Sequence, residues 1–195
     1  MTGPIAQPHS HVQPLRQYLR QRTASVHNEL DASVGVLDSM DRYARYLKGQ
    51  FRFRAAMEAL LAPESFPAWF DGWRPLPLAG ALRADLAALG LAAPPAEDGG
   101  PVQHLQRLSG LMGALYVLEG AALGARFLYR SVSELGLSAA SGARHLELQT
   151  SGQSWQGFLN LLGSPDIDRE EAADAAVATF AFARGAFSKG LHEQS

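Results

Sequence analysis

The chain has 195 residues, is 47% hydrophobic and 18% charged, and carries a formal net charge of −2. These values are typical of one well-buried globular domain and argue against disorder along most of its length. So small a net charge gives no electrostatic reason to expect nucleic acid or a membrane surface as a partner. The absence of cysteine excludes disulfides, iron–sulfur clusters and thiolate-bound cofactors, and fits a cytoplasmic protein.

The beginning of the chain differs in composition from the rest. Its first fourteen residues include Pro4, Pro8 and Pro14 but lack the apolar core of a signal peptide. We therefore expect a flexible N-terminal arm over 1–13 and a single domain over 14–192.

Apolar residues recur at steps of three or four through most of the remaining chain, which predicts helices. No segment alternates like a strand, so the expected fold class is all-α. The helices are expected at 13–34, from a start signal at 38–41 to about 61, at 78–89, at 102–135 with glycine interruptions, at 141–162 in pieces, and at 168–190 after Asp166 or Asp168. One helical turn is expected around 66–70, within a connector rich in proline and tryptophan.

The run 108–128 is apolar enough to raise the question of a membrane span. However, Glu119 lies in its middle, and a charge at the centre of a bilayer costs about 2.5–3.5 kcal/mol. We therefore expect this run to be a buried helix of a soluble protein.

A lone histidine, His27, stands on the apolar face of the first predicted helix. Most such histidines are structural, but Arg20 lies two turns earlier on nearly the same side, about 10 Å along the helix axis. That separation matches the distance from a haem iron to its propionates, which a guanidinium can bind through two hydrogen bonds. Glu29 could orient the imidazole, or it could simply be solvated.

Glycines interrupt the long helix predicted at 102–135. Inside a helix each costs about 1 kcal/mol relative to alanine. One explanation is close packing between helices; the other is that bare backbone approaches a flat ligand and lets the helix kink. Tyr116 could reach a propionate or could be one more core residue. The glycines in question are Gly110, Gly113, Gly120 and Gly124. Together with His27, this pattern predicts a haem slot between two helices.

Other kinds of site are not indicated by the sequence. It contains no HExxH motif, no carboxylate set for two irons and no Cys/His cluster. It also lacks a glycine-rich nucleotide loop and a serine–histidine–acid arrangement. The remaining histidines have no ligand-like neighbours; they are His9, His11, His104, His145 and His192.

Several segments match one known family. TASVHNELD at 23–31 resembles the proximal-histidine segment of haem oxygenases, and YVLEGAALGARFLYR at 116–130 resembles the distal helix of bacterial members. GARHL at 142–146 and WQGF at 155–158 are similar to further segments of that group. These segments follow the family's order over about 15–190. The chain thus resembles biliverdin-producing bacterial haem oxygenases, of the haem-degrading or bacteriophytochrome-associated type.

This resemblance implies an all-α bundle that holds haem between a proximal and a distal helix. His27 would be the iron ligand, while Gly120 and Gly124 would place bare backbone against haem and O2. Arg20 and Tyr116 match the propionate-binding residues of members that cut haem at the α-meso carbon. The residues implied in a distal water network are Gln50, Arg83 and Trp155.

Two departures from the family pattern bear on the product. Ala121 stands where relatives often have serine, so any hydroxyl role at that position is absent. Gly35 and Ser131 stand where a pseudomonad relative with altered regioselectivity has lysines. The second departure favours cleavage at the α-meso carbon.

The implied reaction is the oxidative opening of haem to biliverdin, expected as the IXα isomer, with release of Fe2+ and CO. Haem is substrate and cofactor together, and O2 is the co-substrate. Electrons must come from an external donor, such as a ferredoxin or a flavoprotein reductase, because the sequence offers no flavin or nicotinamide site. A bacteriophytochrome could receive the product, and we expect a cytoplasmic monomer. Two alternatives stay open: a non-catalytic haem carrier or sensor on the same fold, and a helical interaction module without a cofactor.

Overall fold

Helices make up all the regular structure in the computed structural model, which describes residues 13–61, 66–163 and 166–192. The α-helices are α1 (Leu15–Val34), α2 (Met40–Leu60), α3 (Ala79–Ala88), α4 (Val102–Leu105), α5 (Leu108–Gly120), α6 (Ala122–Glu134), α7 (Arg144–Ser151), α8 (Ser154–Leu161) and α9 (Arg169–His192). A 3-10 turn covers Ala68–Phe70, inside the connector where one helical turn was predicted. The all-α fold class is confirmed. The predicted arm, with His9 and His11, lies outside the described residues except for residue 13.

Polar side chains begin two of the helices. The Ser39 hydroxyl accepts the Arg42 N–H at 3.4 Å, so Ser39 is the N-cap of α2. Asp168, rather than Asp166, opens α9, because its carboxylate accepts the N–H groups of Glu170 and Glu171 at 2.9 and 3.0 Å. Both starts lie at signals visible in the sequence.

The long helix predicted at 102–135 is three helices. Arg107 has extended dihedral angles (φ −115°, ψ 149°) and separates α4 from α5, an interruption that no glycine marks. The second break falls between Gly120 and Ala122, where the glycine pattern did indicate an irregularity. The chain is therefore divided at two points where we expected one interrupted helix.

Helix α9 is the centre of the packing, since α1, α2 and α5 all lie against it. Small residues on α9, such as Ala172, allow α5 to approach closely. A Cβ at Gly113 would overlap the carbonyl oxygen of Ala172, and a Cβ at Gly110 would overlap that of His104. Close packing therefore explains Gly110 and Gly113.

A second apolar cluster joins α2, α3, α6 and α7, and it includes Leu47, Leu82, Ala125 and Leu146. Asp85 of α3 anchors α7 to this cluster. Its carboxylate accepts the N–H groups of Arg144 and His145, both at 2.9 Å, and lies 2.8 Å from Nδ1 of His145. His145, which sequence reasoning left without a partner, is thus part of a buried helix anchor.

Within the described residues, the stretch Leu108–Glu134 has the length and apolar character of a membrane span. Most of its apolar window, 61%, is buried inside the protein. Much of that burial comes from the contact between α5 and α9. Packing within the protein thus accounts for its apolar composition, as the position of Glu119 suggested.

Candidate functional site

One face of α1 carries the predicted iron ligand. Arg16, Arg20, Thr23 and His27 follow one another at steps of four or three residues and so share this face. The His27 side chain is 54% exposed, and its ring meets the ring of Phe180 from α9 edge-on at 5.4 Å. The imidazole is therefore supported from behind by α9 and open on its other side.

The carboxylate partner of His27 is Asp31. Nδ1 of His27 lies 3.0 Å from Oδ2 of Asp31, one turn further along α1. Glu29, which sequence reasoning considered for this role, instead pairs with Arg184 of α9. The reason is helical geometry, because residues two apart point to different sides whereas residues four apart are neighbours. With Nδ1–H donating to Asp31, the lone pair of Nε2 is free to bind a metal.

A facing stripe runs along α5 and α6 and consists of Tyr116, Gly120, Leu123, Gly124 and Phe127. Leu123 is 61% exposed and Phe127 is 70% exposed. A Cβ at Gly124 would meet nothing within 4 Å, and one at Gly120 would meet only the Trp155 ring at 3.9 Å. Exposed apolar side chains beside bare backbone indicate a ligand surface. We call this stripe the distal face.

Tyr116 shows that the α1 face and the distal face lie opposite each other. Burial raises the pKa of its phenol, while the Thr23 hydroxyl and the charges of Arg16 and Arg20 act to lower it. Thr23, Arg16 and Arg20 of α1 therefore lie near this side chain of α5, which also packs in one apolar cluster with Val26 of α1. The faces meet around Tyr116, whereas Leu123 and Phe127 further along are open to solvent.

Trp155 joins this group, whereas two other predicted residues do not. Its ring centroid lies 6.1 Å from that of Tyr116, and the guanidinium carbon of Arg16 lies 5.6 Å from the Trp155 ring centroid. Gln50 is buried in α2, and exposed Arg83 on α3 lies over the Phe51 ring at 4.9 Å. Within the described part of the chain, Gln50 and Arg83 thus lie apart from the contacts that join Tyr116, Trp155 and Arg16.

Two charged residues behind the distal face were not foreseen as functional. Arg54 of α2 and Glu119 of α5 are 1% and 3% exposed. Burial lowers the pKa of Arg54 and raises that of Glu119, although the Ser154 hydroxyl, the Arg54 charge and the Leu76 N–H oppose the latter shift. The sequence signal was a carboxylate in the middle of an apolar run, which we used only to argue against a membrane span.

The described residues contain no group of three or more His, Cys, Asp or Glu side chains that could hold a metal ion. An iron bound by His27 would take its other ligands from the group that carries it. Together, the α1 face and the distal face offer one exposed imidazole, exposed apolar side chains and two cationic side chains, Arg16 and Arg20, near Tyr116; we call the space between the two faces the cleft. This combination suits a flat apolar ligand with a metal at its centre and carboxylates at one edge.

Comparison with known proteins is consistent with that description. No family model matches the chain. Heme oxygenase PigA of Pseudomonas aeruginosa is 34% identical over 175 residues, which is 87% of this chain and 88% of the relative. The fold is similar to that of the NO- and CO-bound heme oxygenase from Neisseria meningitidis, with a TM-score of 0.70 and 24% identity, over 94% of this chain and 96% of that one. Heme oxygenase from Leptospira interrogans has a TM-score of 0.67 and 20% identity, over 91% of this chain and 100% of that one.

Proposed function

The chain belongs to the haem oxygenase family, and on that premise we propose that haem binds between the α1 face and the distal face with His27 as the ligand of its iron. The chain is a haem-degrading enzyme, and haem is its substrate and cofactor together. When bound, haem supplies the iron that activates O2 and the ring that is opened to biliverdin. The protein supplies placement, polarity and shelter from water.

The residues present fit haem on three grounds. Leu123 and Phe127 are apolar side chains that the rest of the described chain leaves exposed. The open backbone at Gly124 allows a flat ligand to approach without meeting a Cβ. His27 on the α1 face has a free ring nitrogen, because Asp31 engages the other.

The engaged Nδ1 of His27 is the observation that carries the proposal. A histidine that binds a metal usually donates its second ring N–H to a carboxylate or carbonyl, which fixes the ring and makes the ligating nitrogen more basic. Here Nδ1 of His27 lies 3.0 Å from the accepting carboxylate of Asp31, and Phe180 supports the ring edge-on. The imidazole is thereby oriented before haem binds.

Arg20 and Tyr116 bind the propionates in this proposal, and the structure adds Arg16 as a third candidate. Arg16 and Arg20 lie near the Tyr116 phenol, so the three side chains share one end of the cleft. Guanidinium and phenol donors there would hold carboxylates and so restrict rotation of the ring about the iron. A fixed rotation selects which meso carbon lies under the distal face. We infer the IXα isomer of biliverdin as the product.

On the distal face, the backbone of Gly120 and Gly124 borders the space where O2 reacts. Without side chains at these two positions, a small molecule fits between backbone and ring, while Leu123 and Phe127 limit entry of bulk water. The stripe contains no acidic side chain, so protons reach the site through ordered water. Trp155 contacts this region; the proposed part of Gln50 and Arg83 in the water network rests on the family resemblance alone.

Electrons come from an external donor, for which a ferredoxin or a flavoprotein reductase is our proposal. We further propose that the enzyme acts as a cytoplasmic monomer. We propose a bacteriophytochrome as an acceptor of its product.

The test is to add haemin, then ascorbate under air, while following the Soret band and identifying the pigment by chromatography. We expect loss of the band and formation of biliverdin IXα. His27→Ala should stay folded, because the side chain is exposed, but lose iron ligation and turnover; His104→Ala, a change outside the cleft, serves as control. A persistent haem spectrum would identify a carrier, and failure to bind haemin would identify an interaction module.

A further inference from the structure

Two oppositely charged side chains are buried at the break between α5 and α6. Arg54 comes from α2, and Glu119 is the last residue but one of α5. Neither belongs to the distal face, and the reaction described above uses neither. Buried charges are costly unless they are paired, so their presence at this point requires an explanation.

Arg54 connects three parts of the fold. Its Nη1 donates to the Leu118 carbonyl at 3.3 Å, and its Nη2 donates to the Leu76 carbonyl. The Leu76 N–H in turn donates to Oε1 of Glu119 at 3.1 Å. Nε of Arg54 lies 3.3 Å from Oε1 of Glu58, whose carboxylate also accepts the N–H groups at the start of α3. The connector and α5 are thus tied to α2 through one guanidinium.

The bond to Leu118 bears directly on the break. Its carbonyl lies in the last turn of α5, where a helix no longer supplies its own N–H donors. Ala121 keeps helical dihedral angles (φ −57°, ψ −27°), so its own backbone does not force an interruption. Beyond it, the Gly124 N–H donates to the Ala121 carbonyl at 3.2 Å, three residues back rather than four. The pattern of backbone hydrogen bonds therefore changes close to the Leu118 carbonyl that accepts from Arg54.

We propose that Arg54 and Glu119 form a buried brace that holds this break and thereby sets how closely the backbone of Gly120 and Gly124 stands to haem. They act as positioning residues, since neither belongs to the α1 face or to the distal face. Only a cavity of about 10 Å³, the room of one water, remains between the pair, Ser154 and Trp155. Ala122 of α6 lines the same cavity, so a shift of α6 would disturb the packing around the brace.

This inference rests on haem lying against the distal face, so its first test uses the haem-free protein. Hydrogen exchange is measured at the amides of residues 120–125. Glu119→Leu should raise exchange there at least about tenfold, because the Leu76 N–H loses its acceptor and Arg54 loses a nearby buried negative charge while keeping its ion pair with Glu58. Glu119→Gln keeps an acceptor oxygen and should have a smaller effect.

A matched control exists at the other end of the same helix. The hydroxyl of Ser109, 5% exposed, accepts the Asp168 N–H at 2.8 Å. Ser109→Ala removes a buried bond between a side-chain acceptor and a backbone N–H, as Glu119→Leu does, but far from the break between α5 and α6. It should therefore raise exchange at 120–125 only to the extent that it lowers the global free energy of unfolding. Equal exchange at 120–125 in both variants, at matched stability, would overturn the brace.

The second test measures the affinity of the haemin-loaded protein for azide. This affinity depends on the space between the haem and the distal face. Glu119→Leu should change the Kd by about fivefold or more, whereas Ser109→Ala should not. If Glu119→Leu does not fold, Arg54→Lys replaces it, because lysine keeps the positive charge but not the forked donors of the guanidinium. Arg54→Lys should shift hydrogen exchange and the Kd for azide in the directions expected for Glu119→Leu. Absence of any shift would contradict the proposal. If the wild-type protein fails to bind haemin, the haem assignment fails while the exchange result still decides the brace.

Discussion

Nδ1 of His27 and Oδ2 of Asp31 are 3.0 Å apart, and their side chains are 54% and 66% exposed. An ion pair as exposed as this one contributes little to folding stability. Its value is orientational, because it holds the imidazole in one tautomer and one direction. The partner is set by the helix itself, since Asp31 is one turn from His27.

Loss of a group that orients a metal ligand typically lowers the affinity for the metal by at least about tenfold. Replacing Asp31 by alanine should therefore weaken haemin binding by about tenfold. The melting temperature should hardly move, because both side chains are exposed. Haemin titration followed at the Soret band measures the affinity. The control is Glu29→Ala, which removes a carboxylate that pairs with Arg184 instead. Equal losses in the two variants would show that Asp31 has no special part.

The glycines of α5 and α6 should separate into two groups when changed to alanine. Gly113→Ala should destabilise the fold strongly, because the new Cβ overlaps the Ala172 carbonyl oxygen. Gly124→Ala should leave the haem-free protein as stable or stabilise it by up to about 1 kcal/mol, since its Cβ meets open space. Turnover by Gly124→Ala should nevertheless fall by about a hundredfold, because the methyl group occupies the reaction space.

Thermal unfolding and the rate of biliverdin formation distinguish these outcomes. A Gly124→Ala protein that turns over haem at the wild-type rate would remove Gly124 from the distal face. A stable Gly113→Ala protein would show that α5 can move away from α9.

The double substitution Arg20→Ala and Tyr116→Phe should alter the biliverdin isomer mixture, because the ring loses donors that restrict its rotation. Chromatography of the pigment measures the mixture. Arg22→Ala is the matched control, since Arg22 lies on the same helix but pairs with Asp174 at 3.4 Å. An unchanged isomer in the double variant would reject Arg20 and Tyr116 as the propionate site.

Stability should depend on pH through His145. Burial lowers the pKa of its imidazole, and the Asp85 carboxylate only partly opposes this shift. The unfolded chain therefore takes up a proton near pH 6.5 while the folded protein does not. The contribution of His145 is fully present above that pH and is lost as the pH falls below it.

We expect the melting temperature to drop between about pH 7 and pH 5 and His145→Gln to show a shallower drop. Protonation would also leave the buried Nε2 of His145, which has no hydrogen-bond partner among the described residues, with an unmatched N–H. Thermal melts of both proteins across this range give the comparison. Parallel curves would mean that His145 does not contribute to the slope.

Most of the helices were predictable because their signals are local. Ser39 and Asp168 lie at helix starts, and repeats of three and four residues mark the buried faces. The pairing of His27 with Asp31 is equally local, because residues four apart are neighbours on a helix. The break at Arg107 was not predictable, because no glycine or proline announces it and its cause lies in how α4 meets α5.

Sequence alone determined an all-α chain, a histidine on one helix face and unusual glycines on another. Only the tertiary structure decided that Gly110 and Gly113 serve packing while Gly124 faces open space, since all are glycines in similar apolar surroundings along the chain. It also brought Arg54 to the end of α5, across 64 residues of chain. The physical reason is range: bonds within one helical turn can be inferred from spacing, whereas contacts between helices depend on how whole faces fit together.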